Sequence, residues 1–444
     1  MFRMKARMSL SAMLLACWSC FLVSCSTIND RQEAITLRVM AVDDYQFNVL
    51  YKQPFEAVHP TIKLEPVILD TRYGVTYEEF KRVVETEKPD VLTLTPRTLQ
   101  QMVEERQLLN LDPLIQRDGY RLDELHPPAV QYLRAKGQGS LFGLSSYANT
   151  AALFYNKDLF DLYDMPLPQD GMSWETVLQL AQRFTELEDA SDIRGLQLGG
   201  YLYGKGLFIM QMAKDMQIRY LDPSGKKVMI NTAIWRELLR TAEKAFRSGA
   251  VTVQPSPDPD SFIAGKAAMT LGTPATALRL GNLDQKQARQ QGKQNFEWKL
   301  VTAPAVQGGF YKGSWSIDSI LSIASSSEYP EEAWSFIQFM NSKERIRSSG
   351  SLWSEQMQAI GGRSLEPFYK YPPKVDVHED NIPRGFNVQF YMIVNEHFEQ
   401  VLERKTSIEE ALAAIQKEGQ RKLDQIWQGL GDTEDAKTGA EEAP

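Results

Sequence analysis

A search of the chain for reactive side chains ends quickly. Its four histidines, His59, His126, His378 and His397, are scattered, and none falls in a metal-binding spacing such as His-Glu-x-x-His. No Gly-x-Ser-x-Gly is present, and Ser224-Gly225-Lys226-Lys227 lacks the upstream glycine that a phosphate-cradling loop needs. Carboxylates are plentiful, so composition alone leaves room for the facing pair of a glycosidase. Most of them lie on helix faces predicted to be solvated. The expectation is a protein that is not an enzyme, with neither metal nor cofactor.

One thiol does have a chemistry assigned by its neighbours. Arg3, Lys5 and Arg7 precede an apolar run, Leu10 to Val23, that is too short to span a bilayer comfortably. The run ends in Leu22-Val23-Ser24-Cys25, the pattern of a lipoprotein cleavage box, in which the Cys25 sulfur receives a diacylglyceryl group. Residues 1–24 are therefore expected to be a signal peptide. Two acyl chains on one residue anchor a protein stably where one would not. The other cysteines, Cys17 and Cys20, leave with the signal, so no internal disulfide can form.

Removing that segment leaves 420 of the 444 residues, with a net charge of −11 in place of −8. This length exceeds what one core usually serves, about 250–300 residues, so more than one lobe is expected. The acidic balance disfavours nucleic acid and offers no polybasic patch for anionic lipid. No second apolar run approaches membrane-spanning length.

The elements alternate. Ile35, Leu37, Val39 and Ala41 repeat at period two, which predicts a strand running into polar Asp43-Asp44-Tyr45. Ile62–Leu69 and Lys88–Leu94 read as further strands, with helical sequence around Phe55–His59 and Leu99–Leu108. Such alternation argues a parallel α/β lobe whose ligands sit beyond the strand carboxyl ends, near Asp43–Tyr45 and Thr95–Arg97. Further on, Trp174–Leu187 carries an apolar stripe, and Asn231 is the expected cap of a helix that Gly249 stops. Pro330 opens another helix with Glu331 and Glu332 in its first turn, and Ser407-x-x-Glu410 is a capping box. Residues 429–444 are acidic and poor in bulky side chains, and are expected to be disordered.

Between these regions lies Gly143-Leu-x-x-Tyr147-x-Asn149-Thr-Ala-Ala-Leu-x-Tyr155-Asn-Lys-Asp-Leu-Phe160. This pattern resembles the segment that crosses between lobes in bacterial extracellular solute-binding proteins of the carbohydrate type, the receptors of ABC importers. Phe262–Gly272, containing Gly265-Lys266, resembles the second crossing of that family, and Gly313–Ile323 the third. The resemblance spans roughly residues 35–428 in the family's order.

It implies a type II periplasmic-binding-protein-like fold of two α/β lobes joined by a three-segment hinge. The expected division is a signal at 1–24, a tether at 25–34, lobe 1 at 35–147 and 267–315, and lobe 2 at 148–266 and 316–428. The resemblance further implies capture of a sugar or oligosaccharide by lobe closure, and delivery to permease subunits. The protein would be a monomer held on the outer face of the membrane by lipid on Cys25, or on the periplasmic side in a two-membrane cell. A peptide receptor of the same fold, a sensory partner in place of the permease, and a lipid-anchored polysaccharide-processing enzyme are the other readings.

Candidate contacts follow from what a sugar needs: aromatic faces for its C–H side, and polar groups for its hydroxyls. Asp43, Asp44 and Tyr45 match the family's loop after the first strand, or cap a helix. Tyr147 and Asn149 lie at the cleft floor, or pack the hinge. Trp315 is a ligand platform, or core. Tyr201 and Tyr203 flank a glycine-rich turn that faces the cleft, or pack there. Arg97 bonds a hydroxyl or carboxylate, or forms a surface ion pair. Maltodextrin-binding relatives often carry Trp beyond a Gly-Pro pair after the second crossing. Here the chain reads Gly272-Thr273-Pro274-Ala275-Thr276, which leaves the sugar open.

Overall fold

The computed structural model describes residues 35–441 apart from 71–73, 191, 200–203, 254–260, 292–295, 305–314, 346–349, 358, 361, 374–381 and 384. In chain order, strand β1 (Ile35–Ala41) is followed by a π-helical turn (Gln46–Lys52), β2 (Ile62–Ile68), helix α1 (Tyr77–Glu87), β3 (Val91–Leu94), α2 (Pro96–Glu104) and α3 (Pro127–Lys136). Next come β4 (Asn149–Thr150), β5 (Ala152–Asn156), α4 (Trp174–Thr185), β6 (Arg194–Leu198), α5 (Lys205–Asp215), α6 (Ala233–Arg247) and β7 (Val251–Val253). The chain continues through β8 (Ala267–Gly272), α7 (Pro274–Gln291), β9 (Trp298–Thr302), β10 (Trp315–Ser316) and β11 (Ile320–Ile323). It finishes with α8 (Pro330–Met340), α9 (Phe386–Leu402) and α10 (Ile408–Glu441).

Helix starts follow local chemistry. The Thr95 hydroxyl accepts from the Thr98 N–H ahead of Pro96, and the Ser173 hydroxyl accepts from the Thr176 N–H. Each satisfies one of the donors that a first turn leaves without an intrahelical partner. Ser407 and Glu410 form the expected capping box, each side chain accepting the other's backbone N–H. Thr232, one residue after the expected Asn231, is the cap of α6. The tail expected to be disordered continues α10 as helix to Glu441, over a stretch containing good helix formers such as Ala, Glu and Lys.

Two sheets organise two lobes. The first has the order β11-β3-β1-β2, with β1 parallel to β2 from Ile35↔Ile62 to Ala41↔Ile68, and β11 antiparallel to β3. The second has the order β7-β6-β8-β5-β9, in which β5 runs antiparallel to both β8 and β9. Alternation along β5 divides its packing. Leu153 and Tyr155 join the helices of the second lobe, while Ala152 and Phe154 belong to the core shared with the first sheet.

Sheet membership corrects the expected division of the chain. Ala267–Gly272 and Trp298–Thr302, assigned to lobe 1, are strands of the second sheet because they pair with β5. Ile320–Ile323, assigned to lobe 2, is the edge strand of the first sheet, and α8 packs beside it. A strand between two lobes goes to the sheet whose backbone groups it pairs with, and no pattern within the strand itself states that choice.

Candidate functional site

Three stretches of chain join the lobes. The first runs from Leu144, bridged to Leu321 of the first sheet, through β4 into β5 of the second. The second runs back through β10 into β11, and pairs with the first as Trp315↔Thr150 and Ser316↔Asn149. The third leads from α8 towards α9. Its Gly350 carbonyl accepts from the Ala148 N–H at 2.7 Å, and its Leu352 N–H donates to the Ser146 carbonyl at 2.7 Å. The Thr150 hydroxyl donates to the Phe368 carbonyl at 2.7 Å, which ties the same stretch to β4.

Gly350 is required where it stands. Its φ is +107°, and a Cβ there would lie 2.5 Å from the Ala148 carbonyl oxygen and 2.5 Å from the Tyr147 ring.

A cavity of 330 Å³ opens over this floor. On it the Tyr147 hydroxyl donates to Asn149 Oδ1 at 3.2 Å, and Asn149 Nδ2 donates to Asp318 Oδ2 at 2.6 Å. The Ser316 hydroxyl donates to the same Asp318 oxygen at 3.0 Å. Asp318 lines the cavity, and a carboxylate has acceptor capacity beyond these two bonds. Burial pushes the Tyr147 hydroxyl pKa up, and the nearby Asp318 charge adds to the shift, so it stays a neutral donor at ordinary pH. Gln211 and Lys214, three residues apart on one face of α5, supply the second lobe's wall. Thr273 and Pro274, at the start of α7, close another side.

Of the expected contacts, Tyr147, Asn149 and Trp315 line this cavity. Trp315 does so without an exposed face. It is 0% exposed, its indole N–H donates to the Tyr371 carbonyl at 2.7 Å, and His126 packs against its ring at 5.6 Å. The expected platform is the packing of the floor, because the chain closes over both sides of the indole.

Asp43, Asp44, Tyr45 and Arg97 do not line the cavity. The Asp43 carboxylate accepts from the Gln46 N–H at 2.7 Å, which is the helix-capping alternative raised for it. The Asp44 carbonyl accepts from the Asn48 amide, and Tyr45 is 66% exposed on the π-helical turn. Arg97 is half-buried in the first turn of α2. Tyr201, Tyr203 and Cys25 lie outside the described residues.

Among the lining residues that escaped the sequence reading are Gln211, Lys214, Ser316 and Asp318. Ser316 and Asp318 stand at alternate positions just after Trp315, a period-two signal too short to separate from noise. Nothing around Gln211 and Lys214 distinguishes them from other polar residues of an amphipathic helix. Among the described residues no group of three His, Cys, Asp or Glu is placed to hold a metal ion, and no helix is long and apolar enough to cross a membrane.

Comparison with known proteins bears on this arrangement. A search of curated proteins finds no match. Among solved structures, the sugar-binding protein MalE of Xanthomonas citri is similar at a TM-score of 0.57 and 16% identity, over 89% of this chain and 99% of that one. An ABC transporter solute-binding protein of Agrobacterium vitis S4 with bound D-mannitol is similar at 0.54 and 19%, over 88% and 99%. The GacH receptor of Streptomyces glaucescens, solved unliganded and with acarbose, is similar at 0.52 and 18%, over 88% and 98%. These likenesses show the two-lobe fold. The sequence model of the bacterial extracellular solute-binding protein family matches residues 39–345. The chain belongs to that family, whose members are binding proteins and not enzymes.

Proposed function

We propose that this protein captures a sugar or polyol in the cavity over the crossing segments and hands it to the permease of an ABC importer. The observation that carries this reading is the linked set Tyr147, Asn149, Asp318 and Ser316, exposed to a 330 Å³ cavity where the lobes meet. Such a set both donates to and accepts from hydroxyl groups, and its members sit on the chain segments that must bend when the lobes close. Ligand contacts and closure then form one equilibrium, because a ligand touching both lobes favours the closed state by its differential affinity. The bound D-mannitol and acarbose of similar structures support a polyhydroxyl solute.

The lipid on Cys25 would hold the protein at the outer face of the membrane, with residues 25–34 as tether. The first experiment is calorimetric titration of the full acylated chain in detergent with sugars, alditols and short peptides. Binding of a sugar or alditol without product formation supports the proposal. Turnover of the sugar, or binding of peptides alone, refutes it. Transport is tested separately, by loss of uptake of that solute when the chain is deleted.

A further inference from the structure

The lobes also meet at a place outside the paired crossing segments. Gly74 stands past the carboxyl end of β2 at φ +91°, and Val75 and Thr76 lead from it into α1. There the Thr76 hydroxyl accepts from the Glu79 N–H at 3.1 Å, and Val75 and Tyr77 pack against the core of the first lobe. Facing Gly74 are Ile382 and Pro383, where the third connection enters α9. Ile382 packs against the core of the second lobe, Pro383 is buried, and the Pro383 carbonyl accepts from the Phe386 N–H at 3.1 Å. Each partner is thus fixed to its own lobe.

The approach is backbone to backbone. A Cβ built on Gly74 would lie 2.8 Å from the Ile382 carbonyl oxygen and 3.2 Å from that of Pro383. Carbon atoms in good contact stand about 3.5–4.0 Å from their neighbours, so a methyl group there forces the two segments apart. The positive φ also favours glycine. None of the three residues lines the cavity, yet its wall depends on them. Helix α9, which Ile382 and Pro383 lead into, packs on α5, and the Gly206 N–H at the start of α5 donates to Asn395 Oδ1 of α9 at 2.9 Å. Gln211 and Lys214 of that same α5 line the cavity opposite the crossing segments. Asp318 of the floor stands two residues ahead of β11, a strand of the first sheet. The separation of the lobes therefore sets the separation of wall and floor.

We propose that Gly74 is a positioning residue for solute capture: its lack of a side chain lets the lobes approach until α5 stands against the floor, and a side chain there would act as a wedge. This rests on the capture function proposed above. The test compares Gly74→Ala with Gly139→Ala in the full acylated chain in detergent. Gly139 stands in the turn after α3 at φ +100°, and among the described residues no atom lies within 4 Å of a Cβ built there. That variant meets a similar backbone penalty without the contact between lobes. Nitroxide labels on Glu85→Cys in α1 and Glu396→Cys in α9, both exposed, report lobe separation by electron paramagnetic resonance, with Cys25 blocked by its acyl group. Affinity is read by calorimetric titration with D-mannitol, D-sorbitol, D-glucose, D-galactose and maltotriose.

Gly74→Ala is expected to enlarge a longer-distance population in the solute-free protein. It should also raise the Kd of the tightest-binding solute by about fivefold or more, because the competent fraction falls. Gly139→Ala should leave both readouts at the parent values, which separates positioning from a loss of stability. A Kd or a distance distribution unchanged by Gly74→Ala, or moved as far by Gly139→Ala, overturns this inference and leaves the capture function standing. Binding of none of the five solutes overturns both.

Discussion

Asn149 and Asp318 meet at 2.6 Å, the amide of one crossing segment donating to the carboxylate of the next, across 169 positions of sequence. The two residues belong to neither sheet. They sit where the first and second connections between lobes run side by side, as the pairing Ser316↔Asn149 shows. Both residues line the cavity. Under the capture function proposed above, the contact would link what the protein holds to how far it closes.

Replacing Asn149 by Ala removes both the donor to Asp318 and the acceptor of the Tyr147 hydroxyl. The residue is exposed, so the fold loses little. A bond to a charged group contributes about 1.5–3 kcal/mol. The expected outcome is a roughly tenfold or larger rise in solute Kd with a thermal midpoint near that of the parent. An unchanged Kd in calorimetry would remove Asn149 from the site.

Trp315 and Tyr45 make opposite predictions. Trp315→Ala empties a fully buried indole site and removes the indole donor to the Tyr371 carbonyl, which should cost about 3–5 kcal/mol of stability. Tyr45→Ala, at a side chain 66% exposed, should stay within about 0.5 kcal/mol. Urea unfolding with a common m-value separates the two.

Gly350→Ala places a methyl group 2.5 Å from the Ala148 carbonyl oxygen at a backbone φ of +107°. Strain of this kind costs about 1–3 kcal/mol. Because the hydrogen bond from the Ala148 N–H to the Gly350 carbonyl lies within the hinge, the variant should lose solute affinity together with stability. Full stability in urea would contradict the close approach.

His126 predicts a pH dependence. Its ring packs between Trp315 and Tyr369, its Nε2 is buried without a hydrogen-bond partner among the described residues, and burial holds its pKa below the ordinary 6.5. The unfolded chain then binds a proton more readily than the folded one. Its contribution to stability is complete above about pH 6.5 and is lost as pH falls from there towards the folded pKa. His126→Phe should flatten that limb of the stability curve, measured by urea midpoints between pH 5 and 8.

Cys25→Ala tests the anchor. The variant should appear in the soluble fraction after lysis, without incorporated palmitate, while the parent pellets with membranes. A variant that still pellets would place the attachment elsewhere.

Much of this was legible in the chain itself. Signals that act over a few residues survive translation into structure: the period-two run of β1, the proline opening α8, and the box of Ser407 and Glu410. The crossing residues Tyr147 and Asn149 were legible because a contiguous pattern carries them. Tertiary structure alone decided the rest. It set β8 and β9 in the second sheet and β11 in the first, because strand pairing is chosen between distant segments. It buried Trp315 against His126 and the Tyr371 carbonyl. It brought Lys214 of α5 and Asp318 of the hinge to one cavity, although 104 positions separate them. Local periodicity reports which face of an element is apolar, while a binding site is made by which elements the folded chain sets opposite each other.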